Sequence, residues 1–281
     1  MLRQPLDTEL AAATAIAVKA GLGPVTPEVL HLGNHTSARL NPWPIVARIA
    51  SGTSFDLGSA TLDRELTIAA HLASRQAPSI RAASGVAAGP YIEDKCAITL
   101  WEFVESSQVS TEDEERMAAA SLREIHSALA GLTFELPSFL AKVDSCETIL
   151  ANGDQAPKLL SDDRAFLHNV YRTLRANISE IGRSWQPLHG DAHVGNSRIT
   201  GSGAIWMDLE SVCVGPLEWD VGFLPPATWS EFPEIDTALI RFLADVRSCC
   251  VATWCWAEFD RSAATNEAAV YHLDELRRGF G

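Results

Sequence analysis

Apolar residues recur along the first hundred positions in two rhythms. The run Ile45-Val46-Ala47-Arg48-Ile49-Ala50 is a short apolar strand carrying one charge, and 29–33 and 35–40 read as two more short strands. Between 35–40 and 45–50, Asn41-Pro42-Trp43-Pro44 forms a turn, because its prolines exclude regular structure. Leu62, Leu66, Ile68, Ala69 and Leu72 instead follow the three-to-four spacing of a helix with one buried stripe, over about 61–74. A helix over 8–20, capped by Asp7 and ended by Gly21 or Gly23, precedes the strands. Residues 85–91 read as loop or strand, and 97–104 (A-I-T-L-W-E-F-V) as a continuous apolar strand.

Beyond Glu105 the pattern turns helical. Thr111 with Glu114 reads as a capping box opening a helix to about 129, with Met117, Ala120, Leu122, Ile125 and Leu129 inward. Further helices are predicted at 137–151, 161–182, 235–258 and 263–278, and a stretch of turns and short strands interrupts them around 188–210. The reading is therefore α+β, with a β-rich part over 1–105 and a mainly helical part over 106–281. A chain of 281 residues accommodates one large domain or two lobes sharing a cleft.

Composition narrows the classes of function. A hydrophobic fraction of 47% supports a substantial core, and no run of about 18 apolar residues suggests a membrane span. The first ten residues include Asp7 and Glu9 and lack an apolar segment, so no secretory signal is expected and the cytoplasm is the expected location. A net charge of −14 speaks against a nucleic-acid partner. That charge favours either a cationic ligand or simply a soluble surface. The six cysteines contain no C-x-x-C pair and are expected to be reduced.

The chemistry concentrates in Leu188-His189-Gly190-Asp191-Ala192-His193-Val194-Gly195-Asn196 and in Met207-Asp208-Leu209-Glu210. His-x-Asp followed by Asn five residues after the Asp has the spacing of a kinase catalytic loop, where the Asp accepts a hydroxyl proton and the Asn holds metal. Asp208 closes an apolar strand 12 residues after Asn196, and the two make an oxygen pair suited to Mg²⁺. The competing reading of His189, Asp191 and His193 as a zinc cluster lacks further histidines or cysteines at a supporting spacing. On the first reading His189 orients Asp191 within the loop.

The β-rich part offers matching features for a nucleotide. Gly33 and Asn34 lie between two predicted strands, where backbone amides can cover phosphates, although one glycine there also suits a plain hairpin. None of the four lysines falls on the next strand, which leaves Arg48 as the phosphate-facing cation. An arginine inside an apolar strand either snorkels to the surface or needs an acid, and Glu65 on the following helix is that acid. Glu102, Phe103 and Val104 form an extended linker able to present backbone groups to an adenine edge, or an ordinary edge strand. Asp220, in Gly215-Pro216-Leu217-Glu218-Trp219-Asp220, is placed to brace the catalytic loop by accepting backbone amides. Asp274 and Glu275 form either a solvated helix face or, with Glu210, acids that meet a cationic substrate.

From about Leu30 onward the chain resembles the aminoglycoside phosphotransferase family, the small-molecule branch of the protein-kinase-like fold. The resemblance rests on L-H-G-D-A-H-V-G-N, M-D-L-E and G-P-L-E-W-D, with the Gly33 loop, Glu65, the W-E-F-V linker and L-R-E-I-H-S at 122–127 in support. It implies a two-lobed kinase using ATP and Mg²⁺, with Asp191 as catalytic base, Asn196 and Asp208 on the metal, and Arg48, held by Glu65, on the α/β-phosphates. It also implies that the linker takes adenine and that the acceptor is a hydroxyl of a small polar molecule, aminoglycoside or amino-alcohol in type. Arg48 stands where a lysine is usual, and Leu209-Glu210 replaces Phe-Gly after the metal aspartate. The rival expectation is a catalytically silent nucleotide-binding protein of the same fold, against which the intact Asp191, Asn196 and Asp208 argue.

Overall fold

The computed structural model describes residues 3–33, 35–52, 59–179, 181–182, 184–257 and 263–281. They fall into two compact units, Met1–Leu132 with His193–Ser211, and Thr133–Ala192 with Val212–Gly281. The architecture is an antiparallel sheet in the N-terminal part and helices in the C-terminal part.

In the first unit, α1 (Leu6–Lys19) is followed by β1 (Thr26–Leu32), β2 (Thr36–Asn41) and β3 (Ile45–Ala50), then α2 (Ser59–Ser74), β4 (Tyr91–Glu93), β5 (Cys96–Glu102) and α3 (Thr111–Leu129). The strands form one antiparallel sheet in the order β1-β2-β3-β5-β4. Side chains alternate across it with the two-residue period of a strand. Leu40, Ile45, Ala47, Ile49, Ile98 and Leu100 point to one face and pack on Ala12, Ala13, Ile16 and Ala17 of α1. Each large aliphatic side chain buried there contributes about 1.5–3 kcal/mol. The other face carries Ser37, Arg39, Val46 and Arg48, all half-buried.

A buried carboxylate pins α1 to this sheet. Glu9, 1% exposed, accepts from Arg3, from Ser51 Oγ at 2.5 Å and from the Thr36 hydroxyl. Residues 193–211 join the unit through a hairpin, Ser197–Thr200 with Gly203–Trp206, that packs on α3. Fully buried Trp206 fixes it, donating Nε1–H to Ser121 Oγ at 2.9 Å and its backbone amide to Pro78 at 2.8 Å.

The second unit is built from α4 (Leu140–Ala151), α5 (Ser161–Ile178), α6 (Leu217–Val221), α7 (Thr237–Ala257) and α8 (Ala263–Phe280). Phe139, Leu167, Leu174, Leu243, Val246 and Leu276 are among the residues of its core. Strand Gln186–Leu188 pairs antiparallel with Cys213–Gly215, and so sets the start of the His189–Asp191 segment. Arg164 on α5 donates to carbonyls at and beyond the end of α4, including Ile149 at 3.2 Å and Ala156 at 2.7 Å, where helix carbonyls lack partners of their own.

Three local expectations are corrected. Asp7 lies inside the first turn of α1 rather than capping it, because the helix begins directly after Pro5. The cap of α3 is Ser110, whose hydroxyl accepts from the Asp113 amide at 3.2 Å, so the box sits one residue before Thr111. On α3 the buried stripe takes Ala118 and Ala119, and Ala120 is exposed, because that helix covers two neighbours, α2 and the hairpin. Among the described residues no helix is long and apolar enough to cross a membrane. All six cysteines are free thiols, and Cys255 alone of them is not buried.

Candidate active site

Arg48 is the hub of the charged face in the first unit. It sits on β3 opposite Thr99 of β5, and its side chain is 11% exposed. Nη1 pairs with Glu65 Oε1, while Nη2 donates to Asp208 Oδ1 at 2.7 Å and to Glu210 Oε2 at 3.0 Å. Glu65 reaches it from α2, where it occupies the same buried stripe as Leu62 and Leu72. Arg64, one residue earlier, donates to the Glu210 carbonyl at 3.1 Å, and His35 Nε2 stands 2.8 Å from Glu210 Oε2. Two segments far apart in sequence, α2 and 208–210, thus meet at the guanidinium of β3.

Three carboxylates surround that single cation, and the imbalance shows in the proton affinity of the deepest of them, Glu65. Burial pushes the Glu65 carboxyl up to about 7, with Asp208 and Glu210 adding to the rise and Arg48 and the Leu209 amide opposing it. Burial disfavours the charge on Arg48, but Glu65, Asp208 and Glu210 outweigh it and hold the guanidinium firmly protonated. Arg48 is therefore a fixed positive charge on a half-buried sheet face, and the carboxyl of Glu65 beneath it holds its proton more tightly than an ordinary glutamate.

Asn196 and Asp208 belong to this same unit. Asn196 closes a short turn, its amide bonded to the His193 carbonyl at 2.8 Å, and its own carbonyl accepts from the Met207 amide at 2.8 Å. That second bond ties the residue before Asp208 to Asn196. Asp208 has φ +60°, a left-handed backbone that aspartate tolerates better than most residues and that recurs at functional sites. One of its oxygens takes the Arg48 bond, and the carboxylate of Asp208 and the amide oxygen of Asn196 are donors of the kind a hard cation takes.

The linker follows β5 directly. Glu102 ends the strand with its amide on the Arg81 carbonyl at 2.9 Å, and the Phe103 amide donates to the Pro44 carbonyl at 2.8 Å. Val104, like them, is half-buried. Gly33 lies at the end of β1, its amide bonded to the His35 carbonyl and its own carbonyl held by Arg3 Nη1 at 2.6 Å. A Cβ at Gly33 would meet the His31 ring, whose exposed side chain would have to turn away. Asn34 lies outside the described residues.

His189, Asp191 and Asp220 are in the second unit. Asp220, fully buried on α6, accepts from the His189 amide at 2.7 Å through Oδ2 and from the Gly190 amide at 2.8 Å through Oδ1. Gly190 has φ +83°, which a side chain would oppose, and its carbonyl accepts from Trp219 Nε1 at 3.2 Å. The segment leading into Asp191 is thus held on both sides of Gly190. Behind it, Arg247 of α7 donates to the Trp219 carbonyl at 2.7 Å and the Gly222 carbonyl at 3.0 Å, with its guanidinium 3.5 Å from the Phe223 ring centroid. Burial lowers the Arg247 pKa to about 10, against the attraction of Asp220 and Asp191.

Asp274 and Glu275 stand on α8 and engage their own helix: Asp274 lies 3.8 Å from Arg277, and Glu275 pairs with Arg278. The sequence reading missed His35, Arg64 and Arg247. His35 had a signal, since it sits in the segment already considered for phosphates, whereas a lone arginine in an apolar helix gives none without its partners.

Comparison with solved structures finds the same fold throughout the chain. Amicoumacin kinase hAmiN, solved with AMP-PNP, Ca²⁺ and Ami, shares 12% identity over 95% of this chain and 93% of its own, with a TM-score of 0.71. Choline kinase LicA from Streptococcus pneumoniae shares 15% over 95% and 98%, with a TM-score of 0.69. An APH(2″) enzyme with GDP and kanamycin shares 12% over 97% and 100%, with a TM-score of 0.71. At such identities the likeness establishes the protein-kinase-like fold. Among curated proteins none matches the chain significantly in sequence. Residues 35–249, well over half of the chain, match the model of the phosphotransferase enzyme family, APH, and the chain belongs to that family.

Proposed function

We propose that the protein transfers the γ-phosphoryl group of ATP to a hydroxyl of a small, polar, cationic molecule of the aminoglycoside or amino-alcohol type. The observation that carries this reading is Arg48, an always-charged group on a half-buried sheet face, tied to Glu65 below and to Asp208 beside it. A strand cation held by a helix carboxylate, with an aspartate for the metal beside it, is the set of parts a kinase uses on phosphates. Solved structures of the same fold, bound to AMP-PNP in one case and GDP in another, support a nucleotide as donor.

Residues 1–105 would then carry the nucleotide, with Gly33 and Asn34 over its phosphates and Glu102, Phe103 and Val104 along the base. Residues 106–281 would carry the catalytic loop and the acceptor. Asn196 and Asp208 offer oxygens alone, which suits Mg²⁺ better than zinc. A bound Mg²⁺ would neutralise phosphate charge. Asp191 would take the proton of the attacking hydroxyl, while Asp220 and His189 keep its loop in one conformation. The chemical work reduces to positioning and charge stabilisation.

A cationic acceptor is in keeping with the net charge of −14 and with the acceptors named for proteins of this fold. Choline and kanamycin, named for two neighbours, are hydroxylated cations. Glu210, Asp274 and Glu275 are the acids put forward for such a group.

The test is ADP release over a panel of hydroxylated amines, with mass spectrometry for a single added phosphoryl group. Asp191→Asn should retain ATP binding and lose about 10²–10⁴-fold in turnover, the range of a general base. Full activity in that variant would remove Asp191 from the role. ATP binding with no turnover on any panel member would favour the silent alternative.

A further inference from the structure

The sheet face that carries Arg48 carries a second arginine, for which the phosphate reading has no use. Arg39 on β2 pairs in register with Val46, which pairs in turn with Trp101 of β5. These three make one cross-strand row. The neighbouring row is Ser37, Arg48 and Thr99. The Arg39 row therefore lies two residues, about 7 Å, from the Arg48 row in the direction of the linker.

That position is unusual for a cation. Trp101 is 4% exposed, its indole N–H satisfied by Thr99 Oγ1 at 2.8 Å, and Val46 is half-buried, so the row is otherwise apolar. The Arg39 guanidinium sits over the Phe103 ring, 4.1 Å from its centroid. Its Nε is buried and has no hydrogen-bond partner. In contrast to Arg48, ringed by three carboxylates, Arg39 is held by an aromatic face.

We infer that Arg39 is the roof of the nucleobase site, a positioning and specificity residue whose planar guanidinium stacks on a purine base. The inference rests on the nucleotide reading above and deepens it. Arg48 marks the phosphates, and Phe103, just past the end of β5, marks the base edge, four residues or about 13 Å of extended chain from Thr99, the partner of Arg48. A purine nucleotide spans that separation with its base under Arg39. A guanidinium plane offers the base a cation–π stack that an aliphatic roof does not. The stack favours purines over the smaller pyrimidines.

Calorimetric binding of ATP, GTP, CTP and inorganic tripolyphosphate to wild type, Arg39→Leu and Arg39→Lys tests this. Arg39→Leu should weaken ATP and GTP by about tenfold, the scale of one aromatic or cation–π stack, and leave tripolyphosphate unchanged. Arg39→Lys, which keeps the charge without the plane, should lose affinity for the purine nucleotides as well, by a smaller factor. An equal loss for tripolyphosphate would make Arg39 a phosphate contact and overturn the inference, as would unchanged ATP affinity in a variant whose melting transition matches wild type. If wild type binds neither ATP nor GTP, the nucleotide reading itself falls. If wild type binds CTP as well as ATP, the roof role falls alone.

Discussion

Arg48 Nη2 donates to Asp208 Oδ1 at 2.7 Å across 160 residues of sequence. The bond joins a strand of the five-stranded sheet to a left-handed residue at the end of the Ser197–Trp206 hairpin, so the proposed phosphate-binding cation and one proposed metal ligand share a fixed geometry.

Removing Arg48 should therefore cost more than one ion pair. Arg48→Met strips the cation from Glu65, Asp208 and Glu210 and leaves three carboxylates facing one another. Breaking a buried pair by deleting one partner costs about 3–5 kcal/mol. Urea unfolding should show that loss, and Arg48→Met with Glu65→Leu should recover part of it, since the deepest of the three acids is then gone. Additive losses in the double variant would mean the two residues do not act as a pair.

Glu65 should give the metal-free protein a specific dependence on pH. Its carboxyl titrates at about 7 in the folded chain, raised by burial, and near the ordinary glutamate value of 4.5 when unfolded. Between those values the folded state holds one proton more than the unfolded state. Stability contributed by this group is therefore complete below about pH 4.5 and lost as pH rises towards 7, by up to about 3 kcal/mol. Glu65→Gln should flatten that part of the profile, measured as the difference in urea midpoint between the variant and wild type at about pH 5 and pH 8. A constant difference at the two pH values would place the proton elsewhere.

Much of this hub was legible in the chain because its members break local rules. Arg48 interrupts an apolar strand, and Glu65 occupies a position on the buried stripe of α2 between Leu62 and Leu72. Each anomaly asks for the other. Glu210 and His35 break no rule in their own segments, so their meeting at 2.8 Å is decided by packing alone. The start of α3 failed for a different reason. Ser110-Thr111-Glu112-Asp113-Glu114 contains two overlapping boxes of the same kind, Ser110 with Asp113 and Thr111 with Glu114, and a helix can use only one. The choice follows from where the chain leaves the linker, which no local pattern records.

Asp220 is expected to act on catalysis without touching substrate. Its two oxygens take the His189 and Gly190 amides in a fully buried setting, so Asp220→Ala leaves two donors without acceptors, at about 1–3 kcal/mol each. Asp220→Asn keeps the shape but turns an amide donor towards a backbone N–H. Both variants should speed hydrogen exchange at residues 189 and 190 and lower kcat, with ATP affinity retained. Unchanged exchange at those amides would contradict the bracing role.

Arg247 extends the same chain of support by one step. Helix α6 is short, and its last carbonyls are buried, where helix ends need donors from elsewhere. Arg247 supplies two, to Trp219 and Gly222, and its plane lies on Phe223. Arg247 thus holds α6, α6 holds Asp220, and Asp220 holds the two amides before Asp191. Charge-assisted bonds of this kind contribute about 1.5–3 kcal/mol each, so Arg247→Met should lose about 3–6 kcal/mol in urea unfolding. Arg247→Lys, with one compact ammonium for a forked donor, should recover only part of that loss. In protein still folded at the assay temperature, kcat should fall for Arg247→Met while the Kd for ATP stays at the wild-type value, because the residues proposed to bind the nucleotide belong to the other unit. A fall in ATP affinity as large as the fall in kcat would show that Arg247 acts on something other than the loop.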